Sequence, residues 1–243
     1  MTETKFNNLI FLDTEATGLD EEDRIFQIAY EFQGEEKEEL FKPELPIKFA
    51  AMEVTHFTNK DVKNKKPFQG SEMKRELDEI FKENIFVAHN AKFDIKMLER
   101  EGMKIEKFID TLKVAQFLDP LGKLEAYRLQ FLRYALDLDV KNAQAHDALG
   151  DVRVLKALFI RLYEKMEKDL GDEKLVIDKM VEISSNPVIY KKINFGKYAG
   201  EKLDEVVKKD KGYLEWLFRE KKKQASEGDL DEDWIATLEK YLK

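Results

Sequence analysis

An apolar run that stops abruptly on acid constrains this chain more than any other feature. Asn8-Leu9-Ile10-Phe11-Leu12 reads as a buried strand, and it ends directly on Asp13-Thr14-Glu15. Side chains alternate along a strand, so Asp13 and Glu15 project from one face while Thr14 turns away. Whatever fold contains this strand must therefore present two carboxylates together at one end of its sheet. Arg24–Phe32 alternates apolar and polar and should be the next strand. A third is expected near Glu38–Phe41, closed by Pro43 and Pro46.

A different rhythm follows. Ser71 is placed to cap a helix through Glu83, 84–88 returns as a strand, and helices are expected at 91–101, 111–118, 127–136 and 147–168. Strands joined by short turns, then strand–helix alternation, give an α/β fold with a mixed sheet flanked by helices. Beyond Lys168 a charged helix over 172–183 runs into the turn Ser184-Ser185-Asn186-Pro187. The expected division is a domain over 1–170, a linker helix and turn over 171–186, and a small C-terminal α+β module over 187–243. In that module a hairpin from Val188 to Tyr198 precedes helices at 203–210, 212–222 and 231–242.

A chain of 243 residues is long enough for one substantial core and one small module. It has no cysteine, which excludes disulfides, thiolate chemistry and Cys-ligated zinc. No apolar run approaches the ~20 residues of a membrane span, and Met1–Lys5 lacks the layout of a signal peptide. A cytoplasmic protein with no membrane partner is expected. The net charge of −8 is unfavourable for contact with phosphates, but residues 186–223 hold eleven Lys or Arg against six Asp or Glu. A local excess of this kind matters more to phosphate binding than the total does.

Two further acidic motifs lie far down the chain, His89-Asn90-Ala91-Lys92-Phe93-Asp94 and His146-Asp147-Ala148-Leu149-Gly150-Asp151. Asn90 can cap the helix after it and Asp147 the next, which puts Asp94 and Asp151 each on a first turn. The dipole there favours negative charge. Oxygen-only ligands suit Mg²⁺ or Mn²⁺ rather than structural zinc. His146 is left in the loop before its helix, where an imidazole of ordinary pKa ~6.5 can serve as a general base. Taken singly, a strand-end acid is usually a solvated turn residue and a first-turn Asp a dipole partner. The joint set of Asp13, Glu15, Asp94, Asp151 and His146 argues instead for two divalent cations beside a base, and for hydrolysis of a nucleic-acid backbone. Asp110-Thr111 is read simply as a helix cap.

These three motifs resemble those of the DEDDh exonucleases, the DnaQ-like 3′–5′ exonucleases with a ribonuclease-H-like fold. His146-x-Ala148-x-x-Asp151 matches the histidine subclass, and Glu53-Val54-Thr55-His56-Phe57-Thr58 resembles a stretch that lines the substrate groove. Ile193–Leu203 and Lys211–Phe218 are similar to the C-terminal module of exodeoxyribonuclease-X-like enzymes. The resemblance implies that Asp13, Glu15, Asp94 and Asp151 bind two Mg²⁺, with Mn²⁺ able to substitute, and that His146 is the base. It implies that Ala16, Thr17, Gly18 and Leu19 receive the terminal nucleotide, with Leu19 wedged against its base, and that His56, Asn90 and Phe93 support the groove. The implied partner is nucleic acid with a 3′ end, DNA ahead of RNA, and the products are nucleoside 5′-monophosphates. RNA trimming, and end-trimming within a larger complex such as CRISPR spacer capture, stay open as alternatives, as does a homodimer. Within the tail, Phe195, Tyr198, Tyr213 and Trp216 are expected in a small core, Gly196 and Gly200 in tight turns. Lys191, Lys192, Lys197 and Lys202 could touch phosphates or form a solvated face.

Overall fold

The computed structural model describes residues 6–141, 148–227 and 230–243. Five strands form one sheet: β1 Leu9–Ala16, β2 Ile25–Phe32, β3 Glu35–Leu40, β4 Ile85–Ala88 and β5 Phe108–Asp110, in the order β3-β2-β1-β4-β5. β1 pairs antiparallel with β2 and parallel with β4, and β5 continues the parallel half. The sheet is mixed, as expected. β1 is central because both of its faces are covered. Leu9 and Phe11 face a core with α5 Thr111–Leu118, α7 Ala148–Leu170 and α8 Glu173–Ser185. Ile10 and Leu12 face a second core with α3 Glu72–Glu83 and α4 Ala91–Arg100. That alternation is the period-2 pleat acting on an apolar run.

Two details differ from the expected strand. β1 continues through Asp13 and Glu15 to Ala16, with Asp13 opposite Ala29 and Glu15 opposite Gln27, so the acids lie in the ladder rather than beyond it. The register then shifts between Glu15 and Ala16. Such a bulge bends the strand and re-aims its last side chains.

The remaining helices are α1 Phe49–Thr55, α2 Asn59–Val62, α6 Leu129–Ala135, α9 Leu203–Lys209, α10 Lys211–Ser226 and α11 Glu232–Leu242. The long helix α7 is tied to the β2–β3 hairpin by Arg153 to Glu36 at 2.6 Å and Lys156 to Glu31. The helix within the expected linker, α8, places Val176, Ile177, Met180 and Ile183 in the first core.

The C-terminal part has a core of its own, built from Ile193, Tyr198, Leu203, Val206, Leu214, Leu217, Trp234 and Leu238. The hairpin expected over 188–198 reduces to one isolated bridge, Lys192 to Lys202. Gly196 (φ 66°) and Gly200 (φ 87°) turn the chain too soon for longer strands. Tyr198 is buried and Tyr213 packs against it, but Phe195 and Trp216 are 37% and 48% exposed. Their rings lie against Trp234 and Tyr213 from outside, because a core this small is already filled by Trp234.

Candidate active site

The carboxyl ends of β1 and β4 point the same way, and the acidic residues gather there. Asp13 and Glu15 lie on the β1 face that meets α7, whose first turn carries Asp151. Asp94 comes from the first turn of α4, on the opposite side of the sheet. Thr14 bridges the two sides. Its N–H and its hydroxyl both donate to Asp94 Oδ1, at 3.0 and 2.7 Å. The residue that turns away from Asp13 and Glu15 is thus the one that holds Asp94 in place. Asp151 is held from α6 by the Gln130 amide, which donates to its Oδ1.

The four carboxylates feel each other. Burial raises Asp13 well above the usual carboxylate range, and repulsion from Asp94, Glu15 and Asp151 adds to it. Burial, then Asp151 and Asp94, push Glu15 up to about 8. Burial pushes Asp94 up to about 7 against the pull of the Thr14 hydrogen bonds. Clustered carboxylates without compensation behave in this way. Among the described residues no three acidic or imidazole side chains close into a finished ligand cage. The donor set nonetheless fits hard divalent cations: buried oxygens only, mutually repelling, and drawn from three separate elements.

The loop after β1 is held rigidly. Thr17 is fully buried; its hydroxyl donates to Asp23 Oδ1 at 2.8 Å, and the Asp20 N–H donates to Asp23 Oδ2 at 2.7 Å. Lys48 reaches the same Asp23 oxygen at 2.6 Å. Although burial works the other way, hydrogen bonds from Lys48 and Thr17 hold Asp23 below its ordinary pKa. Arg100 completes the clamp by donating to Asp20 O at 2.7 Å. Gly18 lies so close that a Cβ there would stand 2.5 Å from Asp23 Oδ2, so only glycine fits without a shift. Leu19 is 80% exposed at the tip, an apolar side chain presented by a fixed loop.

The second motif departs from expectation at Asn90. It stands at the N-cap of α4, but in the left-handed region (φ 65°, ψ 48°) and without a side-chain capping hydrogen bond. A capping side chain needs extended backbone to reach the N2 or N3 amide, and Asn is among the few residues that tolerate the left-handed alternative. The Asn90 N–H instead donates to Asp110 Oδ1 at 2.9 Å. Asp110 also accepts from Leu112 N, the cap expected of it. His89 is structural. Burial pushes its imidazole down to about 4, so the ring is neutral. Its Nε2 donates to Tyr127 O at 2.7 Å, and its Nδ1 accepts from the Thr111 hydroxyl at 2.9 Å.

Phe93 is half-buried on the first turn of α4, and His56 is an exposed left-handed C-cap of α1 (φ 61°). His146 and Asp147 lie outside the described residues. The supporting residues Gln130, Lys48 and Arg100 carry no local sequence signal, since each acts through a partner more than twenty positions away.

A family model described as "Exonuclease" matches residues 10–159. The chain belongs to the exonuclease family. It is therefore a hydrolase with the DnaQ-like, ribonuclease-H-like fold expected from its motifs, and that family is metal-dependent. A second model, "Exodeoxyribonuclease X-like C-terminal", matches residues 193–222. Exodeoxyribonuclease 10 of Escherichia coli (strain K12) is 28% identical over 74% of this chain and 74% of its own length. The PolC-type DNA polymerase III of Thermotoga maritima is 34% identical over 68% of this chain, which spans only 12% of that protein. The solved structure of exonuclease X in complex with 5′-overhanging duplex DNA matches in fold, with a TM-score of 0.55 at 24% identity. It covers 73% of this chain and 99% of that one. No helix among the described residues is long and apolar enough to cross a membrane.

Proposed function

We propose that this chain is a 3′–5′ exodeoxyribonuclease that releases nucleoside 5′-monophosphates from DNA ends. The observation that carries the reading is the convergence of Asp13, Glu15, Asp94 and Asp151 at the carboxyl end of β1, where Asp94, Glu15 and Asp151 raise Asp13 and where Asp151 and Asp94 raise Glu15. These four would hold two Mg²⁺, with Mn²⁺ able to substitute. Bound there, the ions would polarise the scissile phosphate and acidify the attacking water.

The chain's own residues supply the rest. Thr14 and Gln130 fix Asp94 and Asp151 in orientation, so the oxygens do not have to be ordered when substrate arrives. The clamped backbone from Ala16 to Leu19 receives the terminal nucleotide, with the exposed Leu19 against its base. His56, Asn90 and Phe93 line the groove. His146 takes the proton from the attacking water. His89, neutral and fully engaged, is not a candidate for that role. The tail favours exodeoxyribonuclease-X-like work over polymerase proofreading, because the family model matched by residues 193–222 is exodeoxyribonuclease-X-like.

A time course on matched 5′-labelled DNA and RNA oligonucleotides, with Mg²⁺ or with EDTA, tests this reading. A Mg²⁺-dependent ladder shortening DNA from the 3′ end is expected. A ladder on RNA alone would move the substrate assignment, and no cleavage of either would overturn the activity.

A further inference from the structure

A cleft of about 830 Å³ runs from the second motif to the C-terminal module, and it is distinct from the carboxylate cluster. Its lining includes His89, Asn90, Arg128, Lys191, Lys192 and Asn194, together with the acids Asp119 and Glu125. Asn90 is one helical turn before Asp94, roughly 6 Å along the α4 axis. The cleft therefore opens beside the reacting position.

The state of its cations sets this cleft apart. Two of the four lysines that the sequence offers as phosphate contacts are already engaged. Lys197 pairs with Asp210 at 3.1 Å, and Lys202 lies 4.0 Å from Glu205. Among the described residues Lys191, Lys192 and Arg128 have no acidic partner, although they belong to a chain with 50 Asp and Glu. Two acids share the lining, Glu125 and Asp119, and Asp119 is taken up by its own loop. Asp119 accepts from Lys123 N at 2.9 Å, Leu124 N at 2.8 Å and the Tyr127 hydroxyl at 2.8 Å. The backbone also places the two lysines firmly. Leu203 N donates to Lys191 O at 2.9 Å, Lys192 bridges Lys202, and both lysines pack their stems over Gly122. Gly122 has φ 59°, and a Cβ there would meet Lys192 Cε at 3.6 Å.

We infer that this cleft binds the phosphate backbone of the incoming single strand, with Lys191 and Lys192 of the C-terminal module and Arg128 of the exonuclease domain as its phosphate contacts. The inference rests on the reading of the chain as a nuclease. It gives the C-terminal module a task, namely to hold the strand a few nucleotides back from the end being cleaved. Three cations with no acidic partner lining one cleft suit a run of backbone phosphates.

The test is binding of a 5′-labelled 20-nucleotide DNA strand to the full chain, followed by fluorescence anisotropy in EDTA across a salt series. EDTA separates this contact from catalysis. K191Q/K192Q/R128Q should weaken binding at least tenfold and reduce the salt slope by about two, since each single-strand phosphate contact contributes ~0.7. K197Q/K202Q, on the same module but outside the cleft, should leave both unchanged. Wild-type affinity and slope in the triple variant, or no binding by the wild type in EDTA, would overturn the inference. A strand held by the cleft without any Mg²⁺-dependent ladder would remove the nuclease reading and leave the cleft. A ladder with unaltered binding in the triple variant would do the reverse.

Discussion

At the scale of single residues, the site depends on side chains that touch no substrate. Thr14 donates twice to one oxygen of Asp94, and its hydroxyl is the stronger contact at 2.7 Å. Thr14→Val should cost about 1–2 kcal/mol of stability and lower turnover, while Thr14→Ser should recover most of both. Urea unfolding and steady-state rates measured together would check this, and equal losses in the two variants would assign the effect to packing instead. His89 makes a different kind of prediction. Burial lowers its pKa from 6.5 to about 4. The folded protein thus refuses a proton that the unfolded chain binds. The resulting stability is present above pH 6.5 and is lost as pH falls toward 4, a swing of about 3 kcal/mol. Set against the wild type, His89→Gln should have a flatter stability profile over that window by a similar amount, because contributions from all other groups cancel in the difference. Parallel profiles would show that another group titrates there.

At the scale of elements, the joint between the two parts turns on one buried cation. Lys113 on α5 is 2% exposed, and its Nζ donates to Ser184 O at 3.1 Å and Asn186 O at 2.8 Å, with Asp233 of α11 at 3.8 Å. Lys113→Met keeps the stem but leaves the Ser184 and Asn186 carbonyls without their buried donor. The expected cost is roughly 3 kcal/mol, with proteolysis appearing first near residues 184–188. A variant as resistant as the wild type would make the joint apolar in origin. The elements with a strong period were among those legible in the sequence. β1, β2, α3 and α4 follow from alternation or an apolar stripe read over eight or more residues. β5 was not legible because its three residues are too few to show a period and are defined by pairing with β4. α1 and α2, between β3 and α3, were not expected from the sequence. In the candidate site Asp13, Glu15, Asp94 and Asp151 were legible as motif letters. Gln130 and Lys48 were not, because their roles exist only across the fold. The capping role expected of Asn90 failed on a backbone angle that no side-chain pattern encodes.

At the scale of the whole molecule, the carboxylate cluster makes the metal-free protein a strained form of itself. Glu15 is raised from 4.5 to about 8 and Asp94 from 3.8 to about 7, with Asp13 raised alongside them. A folded protein with raised acids holds protons that the unfolded chain has released. The stability they contribute is full below the unfolded values and disappears as pH rises through 7 and 8. Stability of the metal-free chain should therefore fall between about pH 4 and 8, as the like charges of one pocket are forced to appear. A divalent cation takes the place of those protons. Mg²⁺ at a hundred times its dissociation constant should add about 2.7 kcal/mol, and the gain should grow with pH because the competing protons leave. Thermal unfolding with EDTA and with saturating Mg²⁺, at pH 6 and pH 8, measures both statements at once. Asp13→Asn and Asp151→Asn, each of which removes one charge from the cluster, should flatten the metal-free pH dependence and weaken the Mg²⁺ response together. A variant that loses one and keeps the other would separate the repelling acids from the metal ligands, and the assignment of all four carboxylates to one site would fail.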